Sequence, residues 1–339
     1  MKIVVLAGGY SPEREVSLTS GTLIANALAE NGHRVLLLDV YCGLRELPPD
    51  PEELFRSENI PERRIDETVP DLEKLRAESG NGDALIGPNV LPLCRAADLV
   101  FLALHGAMGE NGQLQATLDN YGIRYTGSGY IGSLLAMDKD LSKRLLRDAG
   151  VPTPDWLYLN PRENCREEIL RQIGLPCVIK PCSCGSSVGI SMVEDETTLM
   201  QALSDAGKWC DRVLAEKKIT GRELTVGILG DRVLPAVEII PKSGFYDYKN
   251  KYQGTTLEIC PAEIPEAVAS RAAELTMRGF QALRLRGYAR FDYLLDNDGK
   301  LWCLEANTLP GMTPTSLLPQ AAAAVGLSYR ELCEKIIRL

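Results

Sequence analysis

At 339 residues the chain is long for one domain, and domain-size statistics favour two or three. A hydrophobic content of 45% with 24% charged residues provides for packed cores. The net charge of -9 and the pI near 5.0 argue against a nucleic-acid partner, which needs clustered positive charge, but leave small anions within reach of a few local lysines. No apolar run approaches the roughly 20 residues that span a bilayer. The opening "MKIVVLAGGYSPERE" reads as a strand and its turn, not a signal peptide, so the expected location is cytoplasmic, without a membrane partner.

In chain order, "KIVVLAGG", "EVSLTSGTLIANALAENG" and "RVLLLDV" predict a strand, a helix capped by Gly32 and a second strand. With a later strand at "ADLVFLALHG" they predict an α/β domain with a doubly wound, mostly parallel sheet over residues 1–127. Residues 43–95, rich in proline and charge, read as a partly helical insertion over that domain. "GENGQLQATLDNYG" predicts a helix and "IRYTGSG" an edge strand. "YIGSLLAMDKDLSKRLLRDAGVPTP" predicts one amphipathic helix closed by Gly150 and Pro152. Short strands at "WLYLN", "LPCVIKP", "VGISMV" and "RVLAEKKI", with a helix at "TTLMQALSDAGKW", predict a small α+β unit over 128–216.

The last block, 217–339, opens with a hairpin "ELTVGILGDRVLPAVEII" turning at Gly230-Asp231. "PKSGFYDYKNKYQGTT" has no apolar period and reads as a functional lid. The helix "PEAVASRAAELTMRGFQAL", a second hairpin "ARFDYLLDNDGKLWCLEANT" and terminal helices complete the chain.

Chemistry concentrates in a few places. Glu305 and Asn307, two apart on a strand, share a face and offer hard oxygen donors suited to Mg²⁺; Asp292 on the preceding strand joins them if the register allows. A lone Asp or Glu is more often a solvated hairpin face, but the apolar setting of "LWCLEANTLPGM" makes an idle carboxylate costly. Lys139, Lys180, Lys217 and Lys251 lie at element edges, and positive charge converging with Mg²⁺ means polyphosphate. "KPCSCGSSVG" offers backbone N–H groups and hydroxyls suited to an anion, without a Walker A sequence. Glu13 and His105 follow strands at the sheet edge where ligands bind; a histidine there is as often a cap. The ten cysteines show no knuckle spacing, and Cys177, Cys182 and Cys184 read as reduced structural thiols in preference to zinc ligands.

Taken in order, "GGYSPEREVSL", "LALHGAMGENGQLQ", "YTGSG", "MDK", "VIKPCSCGSSVGIS", "EKKITGRELTV", "FYDYKNKY", "RFD" and "LEANTLPGMTPTSLLP" resemble the D-alanine–D-alanine ligase family of the ATP-grasp superfamily. The segments span nearly the whole chain outside 43–95. The resemblance implies an N-terminal substrate domain followed by a two-subdomain ATP-grasp fold. It implies ATP-dependent joining of two D-alanines through a D-alanyl phosphate, for peptidoglycan precursors, by a homodimer formed through the N-terminal domain.

It further implies two Mg²⁺ ions, with Mn²⁺ as a substitute, on Asp292, Glu305 and Asn307, and leaves room for an activating monovalent cation. Lys139, Lys180 and Lys251 would neutralise phosphate, and Glu216, Lys217, Ile219 and Glu223 would hold the adenosine. Arg290 and the N–H of Gly311 would stabilise the tetrahedral oxygen. Glu13, with His105 beside it, would bind the first ammonium. Glu13, Ser186 and Tyr252 would form a hydrogen-bonded triad, and Ser316 with the N–H of Leu317 would meet the second carboxylate.

Tyr252 and Leu317 look like the dipeptide-forming enzymes, yet a small pocket separates a methyl from a hydroxymethyl by only about 1–3 kcal/mol, which keeps a D-alanine–D-serine ligase as the alternative. A catalytically silent nucleotide-binding protein would show damage at Ser186, Arg290, Asp292, Glu305 or Asn307, and all five are present. A nicotinamide enzyme would need the Gly-x-Gly-x-x-Gly turn, which is absent.

Overall fold

Every residue of β1 (Lys2–Ala7) after Lys2 is apolar and buried, the pattern of a strand covered on both faces. In the computed structural model, which describes residues 1–61, 70–185, 188–241 and 256–339, it is the centre of a parallel sheet, flanked by β2 (Arg34–Asp39) and β3 (Leu99–Leu102). Helix α1 (Arg14–Glu30) packs on the sheet through Gly21, where a Cβ would come within 2.6 Å of the Ala7 Cβ. Its C-cap is Asn31; the expected cap Gly32 comes one residue later, at φ +88°.

The 43–95 segment contains, among its described residues, a 3₁₀ turn (Pro51–Leu54), α2 (Leu72–Ser79) and α3 (Val90–Ala96). α3 buries Val90, Leu93 and Cys94 in the core of the parallel sheet, so this part is an integral crossover and not a layer laid over the domain.

Two expected helices are each broken. "GENGQLQATLDNYG" holds the end of α4 (Ala107–Glu110) and α5 (Gln113–Asn120), separated at Gly112 with φ +86°. The long helix expected from Tyr130 is α6 (Tyr130–Met137) and α7 (Lys139–Asp148). Asp138 between them is extended, and its Oδ1 accepts from Asp140 N and Leu141 N, each at 3.0 Å. "IRYTGSG" contributes a single parallel bridge, Tyr125 to Val100, before the chain turns at Gly127 with φ +83°.

β4 (Trp156–Leu159), β5 (Cys177–Pro181), β6 (Ser191–Val193) and β7 (Val213–Lys217) form an antiparallel sheet in the order β4-β7-β5-β6. Helices α8 (Arg166–Gln172) and α9 (Glu196–Ala206) accompany it. α8 buries Ile169 alone, so the sequence carries no apolar stripe to announce it.

A second antiparallel sheet, ordered β10-β9-β8-β11-β12, is built from β8 (Gly221–Leu229), β9 (Arg232–Pro241), β10 (Thr256–Ile259), β11 (Tyr288–Asp296) and β12 (Leu301–Asn307). Pro241 and Thr256, the two ends of the lid expected from the sequence, instead pair with each other as the last residue of β9 and the first of β10. The rest of the expected lid, residues 242–255, lies outside the described residues. α10 (Glu266–Ala282) covers β11 through Gly279, and α11 (Leu317–Ala323) and α12 (Tyr329–Arg338) join β8, β9 and the N-terminal sheet in one apolar cluster. Among the described residues no helix is long and apolar enough to cross a membrane.

Candidate active site

The β11–β12 register decides the site. Arg290 stands opposite Asn307 and Asp292 opposite Glu305, so all four side chains rise from one face of the hairpin. Beyond Asp292 a bulge lets Tyr293 pair with Cys303, leaving Leu304 unpaired. The hairpin is therefore in phase for Asp292 to join Glu305 and Asn307.

Arg290 grips its neighbour: Nε donates to Asp292 Oδ1 and Nη2 to Oδ2, both at 3.0 Å. Thr225 Oγ1 on β8 donates to the same Oδ1 at 2.5 Å. Lys139, the first residue of α7, lies 3.3 Å from Glu305 Oε2 and donates from Nζ to the carbonyl of Cys184 at 2.6 Å. Burial is the largest influence and would lower the Lys139 pKa, but the charge and hydrogen bond of Glu305, with smaller contributions from Cys184 and Cys182, together outweigh it and hold the ammonium above its ordinary value.

Behind Asn307 sits Glu110, a buried carboxyl at the end of α4. With the amide of Asn307 turned to satisfy both neighbours, its nitrogen donates to Glu110 Oε1 at 2.6 Å and its oxygen accepts from Arg290 Nη2 at 3.0 Å. Glu110 Oε2 accepts from Gly106 N at 2.9 Å and Oε1 from Leu309 N at 3.4 Å. Burial, then the charge of Glu13, pushes the Glu110 carboxyl up to about 8. His105 bonds through Nδ1 to the carbonyl of Leu309 at 3.1 Å, while Nε2 has no hydrogen-bond partner among the described residues. Burial holds its imidazole below the ordinary histidine pKa.

Glu13, His105, Glu110, Lys139, Arg290, Glu305 and Asn307 line a cavity of ≈ 190 Å³, which Asp292 does not reach. Glu13 and His105 stand on its N-terminal wall, Lys139 and Gly185 on another, and Arg290, Glu305 and Asn307 on its floor. Gly311, Ser316 and Leu317 close the remaining side, with Ser316 Oγ accepting from Thr313 N at 3.1 Å. A Cβ on Gly311 would meet Ser316 Oγ at 2.9 Å, so a side chain there would displace the hydroxyl on this wall.

A second cavity, ≈ 720 Å³, opens between the two antiparallel sheets. Lys180, Glu216, Lys217, Ile219 and Glu223 line it, as do Asp292 and Glu305 from the hairpin. Glu305 thus borders both cavities. Glu216 Oε2 is 2.9 Å from Lys180 Nζ and 2.8 Å from the Nζ of Lys143, a buried lysine of α7. Ser186, Tyr252 and Lys251 lie outside the described residues.

Two contributors escaped the sequence reading. Lys143 follows Lys139 by four positions, the spacing that puts both on one helix face. Glu110 lies inside the quoted segment "LALHGAMGENGQLQ", but its partners are more than 190 positions away or on its own turn, and only burial marks it. The cysteines have structural surroundings: Cys177 is buried in the small sheet's core, Cys182 Sγ is 3.3 Å from Asp138 Oδ1, and Cys184 Sγ faces the Trp209 carbonyl.

Asp292, Glu305 and Asn307 offer two carboxylates and an amide oxygen on one face, the hard donor set that suits Mg²⁺, an ion that keeps waters and uses substrate phosphates as ligands. Among the described residues no cluster of three or more His, Cys, Asp or Glu side chains forms a protein-only metal site, and such a cage is not what Mg²⁺ at a phosphate requires.

Comparison with known proteins places the chain in a family. Residues 2–128 match the D-ala D-ala ligase N-terminus family model and residues 145–338 the D-ala D-ala ligase C-terminus. The chain is 42% identical to the D-alanine–D-alanine ligase of Pediococcus pentosaceus over 344 residues, covering 99% of this chain and 97% of that one. It is 40% identical to a D-alanine–D-alanine ligase of Synechococcus sp. over 341 residues, covering 100% and 93%. The crystal structure of the Bacillus anthracis D-alanine–D-alanine ligase complexed with ATP superposes with a TM-score of 0.76 at 30% identity, covering 100% of this chain and 96% of that one. The VanG D-Ala:D-Ser ligase of Enterococcus faecalis gives 0.80 at 28%, covering 100% and 98%. The chain belongs to the D-alanine–D-alanine ligase family.

Proposed function

We propose that this protein joins two molecules of D-alanine to D-alanyl-D-alanine, driven by ATP, for peptidoglycan precursors. The observation that carries the reading is the position of Glu305, at the junction of an inter-sheet cleft lined by lysines and a small pocket bearing Glu13, His105 and Arg290. A phosphoryl donor in the cleft and a small amino acid in the pocket would meet there.

In this reading Lys180 lies beside the phosphates with Lys139, and with Lys251 from the lid, while Glu216, Lys217, Ile219 and Glu223 hold the adenosine. Asp292, Glu305 and Asn307 would hold Mg²⁺, which when bound offsets the charge of the phosphate oxygens. Glu13 binds the first D-alanine's ammonium, and His105 packs beside it. That substrate's carboxylate takes the γ-phosphoryl group to give an acyl phosphate and ADP. The free amine of the second D-alanine, placed by Ser316 and the N–H of Leu317, attacks the acyl carbon and phosphate leaves. Arg290 and the Gly311 N–H stabilise the oxyanion formed in between. Ser186 and Tyr252, which lie outside the described residues, would complete the link from the Gly-Ser loop to the lid through Glu13.

The free cysteines fit a reducing, cytoplasmic setting, and a homodimer through the N-terminal domain completes the proposal.

The likeness to the D-Ala:D-Ser ligase supports a second reading, in which the second substrate is D-serine. Phosphate release from Mg-ATP with D-alanine alone, and with added D-serine or D-lactate, separates the two when products are identified by mass. D-alanyl-D-alanine from D-alanine alone is the expected result. Release only on adding D-serine or D-lactate would move the protein to the other specificity, and no release with any of them would defeat the ligase reading.

A further inference from the structure

The geometry points to Glu110 as a positioning residue that sets which way the Asn307 amide faces, so that oxygen and not nitrogen is turned toward the cationic groups of the site. The inference rests on the proposed role of Asn307 as a metal ligand.

An asparagine amide has nearly the same shape in its two orientations, so neighbours must choose between them. On one side of Asn307 is Arg290, which can only donate; on the other is Glu110, whose oxygens receive the backbone N–H groups of Gly106 at 2.9 Å and Leu309 at 3.4 Å. Both carboxyl oxygens receive backbone donors that cannot be reversed, and with the amide oxygen drawn to the donor-only Arg290 the Asn307 nitrogen is the third donor, at 2.6 Å from Oε1. Turned over, the amide would set its NH₂ against the guanidinium and its oxygen against the carboxyl. An NH₂ facing the site could not ligate a metal ion.

The clamp also crosses the molecule. Glu110 ends a helix that follows β3, whereas Asn307 and Leu309 belong to the end of β12 and the turn beyond it. The Leu309 carbonyl is in turn the partner of His105 Nδ1 at 3.1 Å, so one carboxyl ties the histidine's support to the hairpin. A carbonyl only accepts, so Nδ1 carries the proton and the buried Nε2 is left as the acceptor.

The test reverses the polarity of the pair. Glu110→Gln introduces an NH₂ that must face a donor, either a backbone N–H or the Asn307 amide; Asn307→Asp replaces the amide by a group with no wrong orientation. In E110Q/N307D the glutamine NH₂ donates to the new carboxylate, and its oxygen still receives Gly106 N–H. Mn²⁺ binding in the presence of ADP, read by electron paramagnetic resonance, should weaken by about tenfold or more in E110Q, the range typical of lost outer partners of metal ligands. It should return to within about threefold of wild type in the double variant, since coupling between contacting residues is what such a cycle measures. A brace that only supports the fold predicts multiplicative losses and no recovery, which would overturn the inference.

If E110Q does not fold, asparagine-selective ¹⁵N labelling reads the wild type directly. One side-chain NH₂ pair, missing in N307D, should resist solvent exchange before and after Mn²⁺-free ADP and Mg²⁺ are added; a freely exchanging pair contradicts the assignment. Wild type that binds no Mn²⁺ with ADP would defeat the metal reading itself. Normal wild-type binding with additive losses would defeat the role of Glu110 alone.

Discussion

Lys143 and Lys180 approach the same oxygen of Glu216, at 2.8 and 2.9 Å, beside the cleft between the two antiparallel sheets. Three ionisable groups are buried together there, which is stable only while each charge keeps its counterpart. Burial alone would raise the Glu216 pKa, but Lys143 and then Lys180 outweigh it and hold the carboxyl below its ordinary 4.5.

Such a carboxylate contributes stability that is fully present above the unfolded value near 4.5 and is lost as pH falls through the lower folded value. Wild-type stability from urea melts should therefore decline more steeply below pH ~4.5 than that of Glu216→Gln. At neutral pH the variant should be less stable by about 3–5 kcal/mol, because two buried lysines lose their partner. Parallel acid limbs would remove the cluster from the account.

Lys143 makes the complementary statement in alkali. Burial depresses its pKa to about 8, with Glu216 offsetting part of the shift. Between that value and the ordinary 10.5 the unfolded chain holds the proton more tightly, so stability from this group rises with pH across that window. The stability difference between wild type and Lys143→Met should grow in the same direction from pH ~8 to ~10. A difference independent of pH would contradict the depressed lysine.

Glu305 lies opposite Asp292 and 3.3 Å from Lys139, which makes it the shared edge of both cavities. Glu305→Gln should retain the fold and lower turnover by about a thousandfold or more, corresponding to several kcal/mol of lost metal-assisted charge stabilisation. Circular dichroism with coupled phosphate release checks both halves. Full activity in a folded variant would sink the metal assignment.

Gly279 tests the support beneath the hairpin. A Cβ there would lie 2.6 Å from Phe291 Cε1, and Phe291 sits between Arg290 and Asp292 on β11. Alanine favours a helix interior over glycine by about 1 kcal/mol, so helix propensity alone would make Gly279→Ala stabilising. Overpacking costs about 1–3 kcal/mol, and the net expectation is a lower melting temperature with reduced activity. A raised melting temperature would show that α10 has room to move.

Much of this site is legible in the sequence because its residues lie in local patterns. Glu305 and Asn307 announce a shared face by their spacing, and the turn at Gly230 marks its hairpin. The pairing of Asp292 with Glu305 was open, because a one-residue slip exchanges faces and the bulge at Leu304 leaves no local signature. The break at Asp138 was hidden for a related reason: the apolar period runs on through "MDKDLSK", and only the Asp138 side chain capping Asp140 and Leu141 shows where one helix stops. Glu110 acquires its meaning from Leu309 and Asn307, contacts that no local pattern predicts.

The measurement that bears most directly on the central claim follows one oxygen atom. With D-alanine labelled by ¹⁸O in its carboxylate, attack on the γ-phosphoryl group places a labelled oxygen in the acyl phosphate bridge, and displacement by the second amine carries it into free phosphate. One ¹⁸O should appear in the released phosphate for each D-alanyl-D-alanine formed. Phosphate without label, released alongside the dipeptide, would contradict the mechanism assigned to Glu13, Arg290 and Glu305.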